Sequence, residues 1–125
     1  MNFELTEDQA MVRDMAREFA ENELLPRARK HDDQGSIDPE VFTMLGEAGM
    51  WGLTIPEEYG GSGMSNVVLC LVLEEINRAC AATGVTISVH NSLAAATLIK
   101  NGTDAQKRAW LPRMASGEVL GAYSL

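Results

Sequence analysis

Cysteine and long apolar runs are scarce in this sequence, and each scarcity removes a class of protein. The two cysteines, Cys70 and Cys80, lie ten residues apart in one apolar stretch that reads as helix. That spacing places them on different faces, so neither a disulfide nor a zinc site is supported. The longest apolar run, residues 67–73, is far shorter than the about 18 residues of a membrane span. The first residues also lack a secretory or organelle-targeting pattern, and we expect a cytoplasmic protein without a membrane span.

Positive charge and aromatic residues are scarce as well. Ten Lys and Arg residues stand against 18 Asp and Glu residues, which gives a formal net charge of −8. Nucleic-acid binding needs clustered basic residues that contact phosphates, so a general nucleic-acid binder is excluded. With 46% hydrophobic but only 6% aromatic residues, the composition favours helices over strands. A chain of 125 residues is long enough for one domain with a buried core.

The chain is organised around residues 51–64, which read WGLTIPEEYGGSGM. Pro56 removes a backbone donor, and Gly60, Gly61 and Gly63 permit positive φ, so this segment is neither a helix nor a central strand. Apolar residues are interleaved with these breakers, which predicts an ordered loop packed on a core between two helical regions. A phosphate-binding loop is not expected, because the flanking strand and helix and the required Lys or third glycine are absent.

Capping signals and apolar periodicity predict two helices before this loop. The first begins at a capping box formed by Thr6 and Gln9 and continues toward Asp33. Pro26 lies inside it, so we expect a kink or a break near Asn22. Its apolar stripe consists of Val12, Met15, Ala16 and Phe19. A short second helix begins at Asp38-Pro39 and is closed by Gly49.

The apolar run of residues 67–73 predicts a third helix, capped by Ser65. Because this run is apolar on every side, we expect the helix to be buried on all sides. A buried strand is the alternative. The pattern continues from Glu74 to Cys80, which exceeds the length of a strand and favours a helix.

Two further helices are predicted after a junction at residues 82–84. The fourth runs from Val85 to about Lys100 and the fifth begins at a second capping box, Thr103 to Gln106. Core contacts of the fifth helix are expected from Trp110, Leu111 and Met114. Residues 119–125 have strand character. The predicted fold is all-α, a bundle of about five helices with a packed Gly/Pro loop, ending in the start of a β-strand.

The residues do not assemble into a catalytic group. For His31 in a charged run and His90 among small residues, a solvated or packed histidine is favoured over a ligand or base, since neither has an obvious partner. Glu74 and Glu75 point about 100° apart on a helix, so a structural ion pair is favoured over proton chemistry. Ser92 lacks the sharp turn and the oriented histidine of a serine nucleophile.

Four segments nevertheless resemble the N-terminal helical domain of the acyl-CoA dehydrogenases, in the order and spacing of that family. The loop with Pro56-Glu57-Glu58-Tyr59-Gly60-Gly61 and the ending Gly121-Ala122-Tyr123-Ser124-Leu125 are the specific ones. The supporting segments are Leu5-Thr6-Glu7-Asp8-Gln9, Glu74-Glu75-Ile76 and the stretch that begins at Gln106-Lys107. The resemblance covers essentially the whole chain.

This resemblance implies an FAD enzyme that converts an acyl-CoA thioester to the trans-2-enoyl-CoA. In such enzymes a carboxylate base removes the α proton, the β hydride goes to the flavin, and electrons pass to an electron-transfer flavoprotein. The family is usually homotetrameric, with the flavin between this helical domain, a middle β domain and a C-terminal helical domain. Residues 88–93 resemble short-chain members and favour a short or medium acyl chain.

The resemblance also implies a division of the chain and a set of site residues. Residues 1–118 correspond to the helical domain, and residues 119–125 to the first residues of a flavin-contact strand in a middle β domain that the chain does not contain. By position, Tyr123 and Leu125 are expected to contact FAD. The acyl pocket maps onto Thr86, Val89, His90 and Leu93. The catalytic base is expected in the C-terminal domain, so these 125 residues alone are predicted to be inactive.

Two other functions stay open at this point. One is a different flavin oxidoreductase on the same scaffold, either an acyl-CoA oxidase-like enzyme or a monooxygenase, which oxygen would reoxidise. The other is a helical module that binds a partner and performs no chemistry.

Overall fold

The computed structural model describes residues 4–124, which contain five helices joined by loops. We name them α1 to α5 in chain order. Helix α1 covers residues 7–34 as Glu7–Phe19, a π-helical turn Ala20–Leu24 and Leu25–Gln34; α2 is Pro39–Glu47; α3 is Asn66–Ala79; α4 covers residues 81–101 as Ala81–Ser88, a π-helical turn Val89–Ala95 and Ala96–Asn101; α5 is Asp104–Ala115. No strand occurs within residues 4–124, and the all-α prediction is confirmed.

Helix α1 begins and is interrupted where the sequence predicts. The Thr6 side chain accepts from the Gln9 N–H at 3.2 Å and the Gln9 side chain returns a bond at 3.0 Å, which completes the capping box. The expected kink near Asn22 is a π-helical turn, in which the Leu25 N–H reaches back to the Ala20 carbonyl. Pro26 follows at once and has no N–H to donate, so the ladder shifts register there and then continues.

The core joins all five helices through the central loop. Helix α3 packs against α1 and α4, and its inner face carries Val68, Val72 and Ile76. A second, smaller cluster lies between the loop and α5 and includes Ile55, Leu111 and Met114. The two clusters make the loop a packed element of the bundle.

Residues 51–64 form the predicted packed loop, and its first 3₁₀ turn begins one residue earlier, at Met50. Two short 3₁₀ turns, Met50–Gly52 and Glu57–Tyr59, are joined by a backbone ladder. In it, the N–H groups of Ser62, Gly63 and Met64 donate to the carbonyls of Gly52, Ile55 and Leu53 at 2.8–2.9 Å. Trp51 and Ile55 are fully buried, and the Trp51 Nε1–H donates to the Phe42 carbonyl at 3.0 Å. The loop therefore has its own hydrogen bonds as well as its own core residues.

Several predictions about apolar faces are wrong. Met15 and Trp110 are about half exposed, although apolar periodicity predicted both as core contacts. Helix α3 is buried on one side only. Its outer face exposes Val67 and Cys70, and both cysteines are free, as expected.

The boundary between α3 and α4 is also different from the predicted one. The chain breaks at Cys80, whose φ of −151° and ψ of 101° are extended, and α4 begins at Ala81. Gly84 was expected in the junction but lies inside α4, where a Cβ would overlap the side-chain amide of Asn77. Here the glycine serves the close approach of two helices.

The strand expected over residues 119–125 is not formed within the described residues. Residues 120–124 have no regular secondary structure, and Leu125 lies outside the described residues. The division of the chain at residue 118 stays a prediction.

Two neighbouring glycines of the loop allow a test of its packing. A Cβ on Gly61 would overlap the Ile55 carbonyl oxygen, whereas Gly60 has a φ of +82° and open space around it. We expect Gly61→Ala to lower the free energy of unfolding by about 3 kcal/mol through overpacking. Gly60→Ala should cost about 1 kcal/mol through backbone strain alone. Urea unfolding followed by circular dichroism measures both, with Ser62→Ala as the control. Equal stability of Gly61→Ala and the parent would contradict the packing described here.

Candidate functional site

The π-helical turn of α4 brings two adjacent polar residues into the core. His90 and Asn91 are both 0% exposed, although adjacent residues of a regular helix point well apart. The Asn91 Nδ2 donates to the carbonyls of Met50 and Ile87 at 3.0 and 3.1 Å. Its Oδ1 accepts from the Thr54 N–H at 3.3 Å. Asn91 therefore ties α4 to the central loop, a role that the sequence pattern does not reveal.

His90 ties the same helix to the end of the chain. Its Nε2 lies 3.1 Å from the Met114 carbonyl oxygen, and its Nδ1 lies 3.0 Å from the Gly121 nitrogen. A carbonyl can only accept and an amide N–H can only donate, so the ring carries its proton on Nε2. Burial is the main cause that lowers the pKa of His90, and the bond to Met114 opposes it. The ring is therefore neutral, and its edge packs on Trp51 with centroids 5.3 Å apart.

Residues 118–124 follow α5 as a segment without regular secondary structure. The Val119 N–H donates to the Arg113 carbonyl at 3.1 Å, and the Gly121 N–H donates to His90. Beyond Gly121, the backbone groups of residues 122–124 form no hydrogen bond with any described residue. The segment is thus fixed at Gly121, and the backbone groups after it have no hydrogen-bond partner among residues 4–124.

A groove of about 490 Å³ lies between this segment, α4 and α5. Tyr123 and Trp110 line it, and both rings are about half exposed. The Arg113 guanidinium lies 5.4 Å from the Trp110 ring centroid, within the range of a cation–π contact. Helix α4 contributes Ala94, Thr97 and Leu98 to its wall, and the polar Asn101 at the end of the helix. The groove offers aromatic faces and an unpaired backbone edge side by side.

The predicted acyl-pocket residues lie along α4 but do not share one cavity. Leu93 is exposed, and Thr86 and Val89 are half-buried. Thr86 lines a separate cavity of about 600 Å³ between the end of α1 and the start of α4, and Val89 and Leu93 line neither cavity. His90 points inward to Met114 and Gly121. The assignment of these four residues to an acyl pocket stays a prediction, as does that of Tyr123 and Leu125 to FAD.

His31 and His90 are both packed in the interior, one of the two environments that the sequence favoured, and each has polar partners that the sequence did not reveal. The His31 Nε2 accepts from the Asp38 N–H at 3.3 Å and lies 3.2 Å from an Asp38 carboxylate oxygen. Lys30 first, then Gln34, hold the pKa of Asp38 well below its usual range. These contacts fix α1 to the start of α2. Asp38 lies 7 residues from His31, and Gly121 lies 31 residues from His90. Helical periodicity and capping patterns do not predict contacts at these separations.

Glu75 forms the structural ion pair that the sequence favoured. Its oxygens lie 2.7 and 3.1 Å from the Arg17 guanidinium and 3.3 Å from Arg78. The hydrogen bond to Arg17 is the main cause that lowers the pKa of Glu75, and burial opposes it. Glu74 is exposed. The pair joins α1 to α3, and its carboxylate is engaged in ion pairs.

Two other kinds of site are not found in the described residues. No group of three or more His, Cys, Asp or Glu side chains there is arranged to hold a metal ion. None of the described helices is long and apolar enough to cross a membrane.

The Glu75 ion pair predicts a specific acid sensitivity. The folded-state pKa of Glu75 lies below its ordinary value of 4.5, so its stabilisation is complete above that pH and is lost as pH falls through the folded-state pKa. At pH 7, Glu75→Gln should lower the free energy of unfolding by about 1 to 2 kcal/mol. The difference should shrink as pH drops below 4.5. Urea unfolding across this range measures it, and Glu74→Gln is the matched control. A deficit that is independent of pH would refute the assignment.

The comparison with known proteins agrees with the sequence motifs. The family model described as "Acyl-CoA dehydrogenase, N-terminal domain" matches residues 6–118. Probable acyl-CoA dehydrogenase YngJ of Bacillus subtilis is 42% identical over the whole chain, and the match covers 33% of that relative. The short-chain specific acyl-CoA dehydrogenase of Clostridium acetobutylicum is 41% identical, with the same coverage.

A solved structure has the same fold. One chain of the structure described as the electron transferring flavoprotein of Acidaminococcus fermentans superposes with a TM-score of 0.89 and 41% identity. The superposition covers 94% of this chain and 31% of that chain. The chain thus spans about one third of the length of the relatives it matches.

Proposed function

Because the chain belongs to the acyl-CoA dehydrogenase family as its N-terminal domain, we propose that it forms one wall of an FAD-dependent acyl-CoA dehydrogenase. The reaction is α,β-dehydrogenation of a short-chain acyl-CoA to the trans-2-enoyl-CoA. The relative from Clostridium acetobutylicum, named short-chain specific, supports this substrate class. The activity is that of a complete protein, of which this chain is the N-terminal helical domain.

The open segment after Gly121 is the observation that carries this proposal. Its unpaired backbone donors and acceptors lie beside the exposed rings of Tyr123 and Trp110. A flavin ring system is planar, aromatic and rimmed by hydrogen-bonding atoms, so this arrangement fits one edge and one face of it. Tyr123 belongs to the proposed contact, as does Leu125, which lies outside the described residues. FAD, when bound, supplies the acceptor for the hydride.

The residues of this chain bind and position rather than transfer protons. In our proposal, Val89 and Leu93 give a short acyl chain an apolar surface on α4 that excludes water, with Thr86 one to two turns away. His90 belongs to the same predicted set and lies on the inner side of the helix. Glu75 is the buried carboxylate among the described residues, and its two arginines make it a weak base. We therefore propose, as the family resemblance implies, that the base lies in a part of the complete protein outside these residues.

The proposed partners follow from the same assignment. The similar chain belongs to a structure described as an electron transferring flavoprotein, which supports such a protein as the electron acceptor. We also propose a homotetramer in the cytoplasm for the complete protein. Fast reoxidation by oxygen in place of the flavoprotein would instead favour an oxidase-like relative.

The isolated 125-residue chain tests how the function is divided. It should fold as a helical bundle, judged by circular dichroism, but retain no stoichiometric FAD after gel filtration. It should also reduce no dye with butyryl-CoA, because it offers only one wall of the flavin site. The complete protein should retain FAD and should reduce the dye with butyryl-CoA. An isolated chain that holds FAD and reduces the dye would contradict the proposal. A complete protein that neither holds FAD nor reduces the dye would disprove it.

Leu93 tests the acyl contact. In the complete protein, Leu93→Trp fills the space against α4 and should lower kcat/KM for octanoyl-CoA about tenfold more than for butyryl-CoA, because a longer chain needs more room. Met11→Trp, at an exposed position of α1, is the matched control. Flavin content is measured from absorbance and should be unchanged in both variants. An unchanged ratio of the two substrates would remove Leu93 from the pocket.

A further inference from the structure

We propose that His90 is a positioning residue, whose imidazole fixes the segment of residues 121–124 in the place where it contacts the flavin. The flavin half of this inference rests on the function proposed above. We call the hydrogen bond from the Gly121 N–H to the His90 Nδ1 the clamp. The clamp concerns only this chain and is tested separately. The family resemblance instead maps His90 onto the acyl pocket, and the two roles predict different results.

Three contacts hold the ring, and they come from three parts of the chain. Nε2 bonds to Met114 at the end of α5, Nδ1 bonds to Gly121, and the ring edge packs on Trp51 of the central loop. A buried ring with both nitrogens engaged has one orientation and one tautomer. His90 therefore has a fixed side-chain orientation and connects α4 to α5 and to the terminal segment.

Gly121 is the residue through which the ring acts. A Cβ at this position would overlap the Ala94 Cβ and lie 2.8 Å from the Met114 Cε. The backbone therefore approaches α4 and α5 more closely than any other residue type permits. The Gly121 N–H bond to His90 is the last hydrogen bond with a described residue before the free groups of residues 122–124. The position of these free groups is set at this point.

The direction of each hydrogen bond separates positioning from ordinary packing. Asn at position 90 can place its Oδ1 where Nδ1 lies and accept from Gly121, but it does not reach Met114. Gln can place its Nε2 near the ring Nε2 and donate to Met114, but it offers Gly121 no acceptor there. Both amides lose the ring and its contact with Trp51. A purely structural role predicts similar defects, whereas the clamp predicts that only Asn preserves the segment.

The first experiment uses the 125-residue chain and nuclear magnetic resonance. In the parent, ¹⁵N shifts should identify the Nε2–H tautomer of His90, and the Gly121 amide should exchange at least about tenfold more slowly than the amides of residues 122–124. His90→Asn should keep this protection and His90→Gln should lose it. The Val119 amide, bonded to Arg113, is the internal control. An unprotected Gly121 amide in the parent overturns the clamp without any variant.

The second experiment measures flavin affinity in the complete protein. The Kd for FAD should stay within about threefold of the parent in His90→Asn and rise about tenfold or more in His90→Gln. The flavin absorbance band should shift only in the Gln variant. The positioning role would be overturned if His90→Gln lost the Gly121 protection while both variants had the same Kd for FAD and the same flavin spectrum. A parent that binds no flavin would disprove the proposed function and with it the flavin half of this inference, and Gly121 exchange would still decide the clamp.

A change in acyl-chain preference supplies the last distinction. If His90 acts through Gly121, then His90→Gln should change flavin affinity and leave the ratio of kcat/KM for butyryl-CoA and octanoyl-CoA within about twofold. A changed ratio with unchanged flavin affinity would overturn the inference and return His90 to the acyl pocket.

Discussion

The inward turn of His90 and Asn91 is the constraint on which the rest of this structure depends. Both side chains are polar and fully buried. Without hydrogen-bond partners, each of them would destabilise the fold. Asn91 finds them in the central loop and His90 in α5 and the terminal segment. The π-helical turn makes this possible, because it lets two consecutive residues face the core at once. The π-helical turn of α4 thereby holds the central loop, α5 and the terminal segment together.

Local signals account for most of the fold. The capping boxes at Thr6 and Thr103 are found as predicted, because a cap depends on residues three positions apart. The loop of residues 51–64 could also be predicted, since Pro and Gly exclude helix while Trp51 and Ile55 demand burial. The start of α4 was misplaced, because Gly84 suggests a junction by residue type and is in fact needed for a close contact with Asn77.

The candidate site was much harder to predict. The bond between His90 and Gly121 joins residues 31 positions apart, and no periodicity encodes it. The exposure of Trp110 and Val67 could not be foreseen either, because apolar residues on a helix predict burial whether the covering surface lies in the chain or outside it. The likeness to the acyl-CoA dehydrogenases gave the function class, and the geometry then separated inward-facing His90 from exposed Leu93.

The central claim is that the segment after Gly121 is a flavin contact held by the helical bundle. Amide hydrogen exchange of residues 122–124, compared between flavin-loaded and flavin-stripped complete protein, tests it most directly. We predict that bound FAD slows exchange at these amides, while the buried amides of α3 exchange equally in both forms. Equal exchange of residues 122–124 with and without FAD, in protein that demonstrably holds the flavin, would contradict the account.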